Sequence, residues 1–408
     1  MVGSPRRSRE QQAAEEAAQR IAALPAIDQH CHAPLIDWQS TGPGDPDWRR
    51  CFSEGRHPAS LHDDVPASIG YREFLRALAA FQGVAAEPPT RLEAAVLDRR
   101  ATELRSGDDY LGRLFDDARI VGLLVDTGYG GPHALSVAAF ARAARRQVHA
   151  IVRIESVAQE LLAATASAHP LGAVAFGDQL AERFETALAA GIVGFKSIAA
   201  YRVGLELPAP SARAVAGALR RLDRASQAER LDDPVLIAHV VWSAARLAAA
   251  RSVPLQFHTG FGDDDLHLPR ADPTLLRALL RDPDTEACPV VLLHSYPFVA
   301  QAAYLASIYP QVHLDLSLAI PLLGGAAAER MIAEALAMCP ATKLLAASDG
   351  HSYPEMHWRG MRLWREALAT VLTTEISADR MDDAELEPVA GAILAGNAAR
   401  LYRLPLRV

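Results

Sequence analysis

His30 and His32 flank Cys31 at the end of a short, largely apolar segment, Ala26-Ile27-Asp28-Gln29-His30-Cys31-His32. On a strand, side chains two residues apart share a face, so both imidazoles would point the same way. Two neutral imidazoles on one face suit Zn2+ or a similar divalent ion. A turn that happens to carry two histidines is the plain alternative, and the rest of the chain weighs against it. His258 closes Pro-Leu-Gln-Phe and precedes Thr259-Gly260, while His294 closes Val-Val-Leu-Leu and precedes Ser295-Tyr296. Either alone would read as a buried, hydrogen-bonded histidine. Two such placements, one strand–helix unit apart, are harder to set aside. Asp349, in Ala-Ala-Ser-Asp-Gly-His351, ends the last apolar run. A carboxylate there could bind a metal and accept a proton from activated water. Its other role would be to cap the following helix.

Asp126, Glu155 and Lys196 also end apolar segments, and Asp315 lies within another. A lysine aimed into a mouth lined by carboxylates needs a reason. Lys196 could pair with Glu155, bind a substrate carboxylate, or be carbamylated by CO2 into an anionic ligand. Arg153 and Arg202 are candidates for holding a substrate carboxylate bidentately. Each could equally be the partner in a structural ion pair.

These residues need elements to hold them. Eight short apolar segments serve: 26–32, 120–126, 149–155, 192–198, 253–258, 289–294, 312–317 and 343–349. Continuous apolar runs of this length are what strands buried on both faces look like. Ala- and Leu-rich helical stretches, such as 132–146, 178–190 and 325–338, separate them. Alternating strands and helices predict a parallel sheet, and eight units predict closure into a (β/α)8 barrel of the TIM type. A doubly wound open sheet is the rival, and the missing GxGxxG after the first strand counts against it. In barrel enzymes the chemistry sits at the C-terminal ends of the strands, where these residues fall.

The pattern predicts a single domain over 1–408. An N-terminal helix spans 10–24, an insertion or lid spans 35–117 after strand one, and a helical insertion spans 205–250 after strand four. Within the first insertion, 35–66 reads as a long irregular loop, and 68–83 and 90–117 as helices. Trp38, Trp48, His57 and His62 in that loop are candidates for touching substrate. The tail over 360–404 reads as helical and as closing the barrel.

The composition is that of a globular protein, 50% hydrophobic and 22% charged, with formal net charge −8. That balance argues against a nucleic-acid surface. No apolar run is long enough for a membrane span, and the start, with Arg6, Arg7 and Arg9, lacks the apolar core of a secretory signal. Four scattered cysteines suggest neither disulfides nor a thiolate zinc site. The expectation is a cytoplasmic protein acting on a small molecule, with no nucleic-acid or membrane partner; a homo-oligomer is compatible with it.

The set of HxH on strand one, Lys on strand four, His on strands five and six and Asp on strand eight resembles the amidohydrolase superfamily. Specifically, "GFKSIAAYRVGL", "PLQFHTGFGD", "VVLLHSYPFVAQAAYLASIYPQVHLDLSLAIP" and "SDGHSYPE" resemble the branch that forms the N-terminal half of nodulin-like and fungal developmental glutamine-synthetase fusions. The resemblance implies a barrel with one or two divalent ions, Zn2+ first and Mn2+ second. His30, His32, His258 and Asp349 would be ligands, and His294 a second-metal ligand or a catalytic imidazole. Lys196 matches the position carbamylated in binuclear members. "FKSIAAY" has the spacing with which hydantoinase-like members steady an oxyanion, which would be the part of Tyr201. The implied activity is hydrolysis of an amide C–N bond, such as a γ-glutamyl amide, with Asp349 and His294 catalytic and Arg153, Glu155, Tyr201 and Arg202 near substrate. Non-oxidative decarboxylation by a similar ligand set is the alternative. A metal-retaining scaffold without turnover is a third reading.

Overall fold

The computed structural model of the chain describes residues 9–40, 46–85, 87–164, 172–222 and 230–405. The arginine-bearing start up to Ser8, part of the first loop (41–45) and part of the second insertion (223–229) lie outside the described residues. Eight parallel strands run in sequence order: β1 (Ala26–Cys31), β2 (Ile120–Asp126), β3 (Gln147–Arg153), β4 (Gly194–Ser197), β5 (Leu255–His258), β6 (Val290–Leu293), β7 (Val312–Asp315) and β8 (Leu344–Leu345). The first and last strands meet where Gln29 N–H reaches Ala346 O at 3.3 Å and Asp349 N–H reaches His30 O at 2.9 Å. The sheet is thus the expected (β/α)8 barrel, with the helices around it.

The barrel floor is apolar. Ile27, Leu124, Ile151, Val291, Leu293 and Leu345 fill it, and Ala398 and Tyr402 from the C-terminal helical segment pack against them. Each such buried aliphatic side chain contributes roughly 1.5–3 kcal/mol. The helical tail therefore does close the barrel, at the end opposite the histidines.

Three local readings are corrected. Glu155 does not end a strand: β3 stops at Arg153 and Glu155 lies in the first turn of the helix Ile154–Ala164. The apolar run simply continues from one element into the next. The last strand is only Leu344–Leu345, so Asp349 sits in the turn beyond it, at φ 55°. The expected helix over 90–117 is two, Pro89–Ser106 and Tyr110–Asp117. Gly107 ends the first at φ 77°, where a side chain would be strained, and Asp109 caps the second by accepting from Gly112 N–H. In the second insertion, helices Ala212–Arg221 and Pro234–Arg251 bear out the helical reading among the described residues.

The loop read over 35–66 holds short helical turns, Trp38–Ser40, Pro46–Arg50, Ser60–Asp64 and Val65–Ala67. It is anchored by a buried cation. Arg100 is fully buried and ion-paired to Glu355. Its guanidinium lies 5.5 Å from the ring centroids of both Trp38 and Trp48 and 5.7 Å from that of Tyr353. Cation–π attraction is strongest in such desolvated settings. Trp38 and Trp48 are therefore parts of this anchor, and His57 and His62 do not line the central cavity. The four cysteines are free and buried. No helix among the described residues is long and apolar enough to cross a membrane.

Candidate metal centre and active site

His30 and His32 present their rings edge to face, centroids 5.3 Å apart. Both reach Asp349: His30 Nε2 is 3.0 Å and His32 Nε2 3.3 Å from Asp349 Oδ1. The shared face predicted from HxH spacing is what brings them together. His30, His294 and Asp349 each offer a donor atom within 4.8 Å of the other two. His258 stands against His294, ring centroids 4.5 Å apart. Of the expected quartet, His30, His32 and Asp349 come together, and it is His294 rather than His258 whose donor atom joins them.

What each imidazole presents is decided by its other nitrogen. His30 Nδ1 lies 2.9 Å from Gln256 Oε1. The Gln256 amide nitrogen is directed to Gln29 O and to Tyr402 Oη. The oxygen is therefore the atom facing His30, and Nδ1 must donate. His32 Nδ1 lies 3.3 Å from the Asp126 carbonyl, which can only accept. His294 Nδ1 lies 2.8 Å from Ser317 Oγ, whose hydroxyl proton goes to Asp315 at 2.7 Å. In each case Nδ1 carries the proton and Nε2 is bare. His258 has the reverse tautomer, because Nε2 faces the Phe261 carbonyl at 3.1 Å and so must donate. Its Nδ1 is bare. Four imidazoles thus each offer one lone pair.

Burial keeps His30, His258 and His294 neutral. It holds His30 down to about 4 and His258 and His294 well below the usual imidazole range. Asp349 behaves oppositely. Burial alone would raise its pKa, and any of the His294, His30 or His32 rings that carried a proton on Nε2 would hold it well below the usual carboxylate range. Its Oδ1 is buried and has no hydrogen-bond partner. An orphaned carboxylate oxygen among bare nitrogens is a donor set that fits a divalent cation.

The backbone is shaped to hold this set. Asp28 on β1 accepts Ser348 N–H at 2.8 Å and also Ser348 Oγ. That clamp fixes the turn carrying Asp349. Asp315 Oδ1 accepts His294 N–H at 2.7 Å and Ser317 N–H at 3.0 Å. His294 and Ser295 have φ of 68° and 60°. Non-glycine residues rarely hold that conformation, and here the Asp315 carboxylate holds His294 in it through the His294 N–H.

Lys196 is buried, and its Nζ lies 3.2 Å from His30 Nε2. Burial lowers its pKa, against the pull of Asp126 and Asp349. It does not pair with Glu155. That carboxylate instead accepts Ser197 Oγ at 2.7 Å and Ile198 N–H at 3.0 Å, holding the turn after β4. Arg153 lies in register with Lys196 across β3 and β4 and pairs with buried Asp126 at 2.6 Å. Gly128 permits this, since a Cβ there would meet the Arg153 side chain at 2.7 Å or less. Tyr201 stacks on His258, centroids 4.3 Å apart.

A cavity of about 330 Å3 opens over the centre. Arg202 lines it with no ion pair among the described residues, and its Nε is buried without a partner. Glu54, Arg56, Tyr129, Asp263 and His351 also line it, and sequence reasoning singled out none of them. Glu54 and Arg56 enter from the first loop, which Arg56 fastens to Asp263 at 2.6 Å and Asp264 at 3.1 Å.

A barrel whose mouth converges imidazoles and a carboxylate on one point defines a metal-dependent hydrolase. The particular family follows from comparison: the Amidohydrolase family model matches residues 132–404, and the chain belongs to that family. A Lactobacillus casei protein assigned as a metal-dependent hydrolase superposes with TM-score 0.82 at 29% identity, covering 96% of this chain and 99% of its own. A Thermotoga maritima uronate isomerase shares the fold, with TM-score 0.68 at 13% identity over 96% of this chain and 97% of its own. Protein fluG of Emericella nidulans is 36% identical over 225 residues, 52% of this chain. The chain spans 26% of that curated relative's length.

Proposed function

We propose that this enzyme hydrolyses an amide C–N bond in a small carboxylated substrate, a γ-glutamyl amide being the first candidate. The observation that carries the reading is the pairing of the metal-ready donor set with Arg202, whose guanidinium lines the cavity in no ion pair among the described residues and keeps a buried Nε without a partner. The resemblance of the chain's motifs to the N-terminal half of glutamine-synthetase fusions is why a γ-glutamyl substrate comes first.

Zn2+ is the expected ion and Mn2+ the second choice, held by His30, His32, His258 and Asp349, with His294 and Lys196 available for a second ion. Such an ion supplies water activation and carbonyl polarisation. The Asp349 carboxylate takes the proton of the attacking water and passes it to the departing nitrogen. Tyr201 stands beside the centre to stabilise negative charge on the carbonyl oxygen, while His294, whose Nε2 is bare, is placed to accept a proton or to ligate an ion. Arg202 holds the substrate carboxylate. Arg153 instead neutralises Asp126, and Glu155 supports the loop that presents Tyr201 and Arg202. The reaction needs no nucleic-acid or membrane partner, and we place it in the cytoplasm.

The test is to incubate the metal-loaded enzyme with a panel of γ-glutamyl amides. Release of free amine with the new carboxylate supports the reading. Release of CO2 from carboxylic-acid substrates, with the amides untouched, would replace it with decarboxylation.

A further inference from the structure

A second cavity, of about 430 Å3, adjoins the one over the centre. Glu54, Arg56, Tyr129, Asp263 and His351 line both, so a single layer of side chains forms their common wall. That wall stands against the metal centre. The Tyr129 ring packs on His32, centroids 4.6 Å apart, and on His351 at 5.4 Å. The second cavity therefore begins one side chain away from a candidate ligand. Beyond the wall it is lined by Leu35, Cys51, Ser53 and Ser352, a mixture of apolar surface and hydroxyls.

The loops after β1, β2 and β8 fix its place. Leu35 N–H donates to Ser352 O at 2.9 Å, and Ile36 N–H to His133 O at 2.8 Å. Arg56 ties the wall to the strand-five loop through Asp263 at 2.6 Å. The strands close in the order β1 to β8, so β4 and β8 stand on opposite sides of the mouth. Arg202 follows β4 and lines only the first cavity. Asp349 and His351 follow β8. Hydrolysis forms a C–O bond and breaks the C–N bond, and the proton that Asp349 takes from water goes to the nitrogen. A substrate held by its carboxylate at Arg202 has its nitrogen on the Asp349 side, with the common wall beyond.

We propose that the second cavity receives the departing amine, and that this amine carries a substituent of several carbons. Tyr129, 41% exposed and flanked by Gly128 and Gly130, is the side chain that turns to admit it. The inference rests on the hydrolase reading for the bond that is cut. It narrows the substrate to an N-alkyl amide, as opposed to the amide of ammonia.

The metal-loaded enzyme is assayed for amine release from three probes: L-glutamine, γ-glutamyl methylamide and γ-glutamyl butylamide. kcat/KM should rise along the series by about fourfold for each methylene buried, so that the butylamide exceeds glutamine by about tenfold or more. Leu35→Trp and Ser53→Leu each fill the second cavity, and in folded protein each should bring the butylamide-to-glutamine ratio back toward one. Leu35→Ala should move the optimum to longer chains. Equal turnover of all three probes by the parent overturns the proposal, as does a filled variant that keeps the parent's preference. So does a filled variant that slows all three alike, which would make the cavity an entrance. If no probe releases amine, the hydrolysis reading fails, and the intact amides then serve as ligands in calorimetry. Tighter binding of the butylamide than of glutamine, lost in Leu35→Trp, would keep the second cavity as the subsite for the substituent. Equal or absent binding would remove it.

Discussion

His30 gives its Nδ1 proton to Gln256 Oε1 at 2.9 Å, and this one hydrogen bond decides that Nε2 faces Asp349 with a free lone pair. Gln256 is held in turn by Tyr402 Oη at 2.8 Å, from the tail that closes the barrel floor. The C-terminal segment and the metal centre are thus linked through two side chains.

Gln256→Leu should therefore weaken metal binding without dismantling the barrel. Loss of a hydrogen bond behind a ligating histidine typically costs 10- to 100-fold in affinity. Competition against a chelator reads the change. Unchanged affinity would mean that Gln256 does not orient His30.

Asp349→Asn removes both the anionic ligand and the proton acceptor. Amine release from a γ-glutamyl amide should fall by about a thousandfold or more. Activity within a few-fold of the parent would assign the proton transfer elsewhere.

Arg202 and Arg153 should fail in different ways. Arg202→Met should raise KM by about tenfold with kcat nearly unchanged, as expected when an interaction is equal in ground and transition states. Arg153→Met leaves buried Asp126 without its partner, which costs about 3–5 kcal/mol of stability. Steady-state kinetics and urea unfolding, run side by side on both variants, tell the two roles apart.

Glu355→Gln should loosen the first loop. It strips the counter-ion from fully buried Arg100, and breaking such a pair costs about 3–5 kcal/mol. Hydrogen exchange should rise around Trp38 and Trp48 before it rises in the strands. Uniform protection would argue that the anchor is dispensable.

His313, away from the centre, gives a pH signature. Burial lowers its pKa from 6.5 to about 4. The unfolded chain then binds the proton more readily, so this contribution is intact above about pH 6.5 and is lost as pH falls toward 4. At pH 5 the loss is at most about 2 kcal/mol. His313→Gln should flatten that part of the pH–stability curve. An unaltered slope would mean that His313 is not held neutral.

Much of this architecture is legible in the chain itself. Buried parallel strands are short apolar runs, so all eight appear, and period-two spacing puts His30 and His32 on one face. The same spacing puts Gln256 beside His258, yet a polar residue inside an apolar strand draws no attention until its partners are known. Glu155 reads as a strand end because Ile154 prolongs the apolar run into a helix, and hydrophobicity does not mark that boundary. Glu54 carries no local signal at all. Its place depends on Arg56 meeting Asp263 across more than half the chain, a contact fixed by tertiary structure.

The central claim is that the four imidazoles and Asp349 form a metal centre. Metal content by mass spectrometry tests it directly, on protein supplied with Zn2+ and then dialysed. At least one ion per chain is expected, lost or sharply reduced in His30→Ala and Asp349→Asn enzymes that remain folded. A second ion would coincide with an added CO2 mass on Lys196. A folded parent enzyme that retains no divalent ion, or variants that retain it in full, would mean that these residues do not form a metal centre.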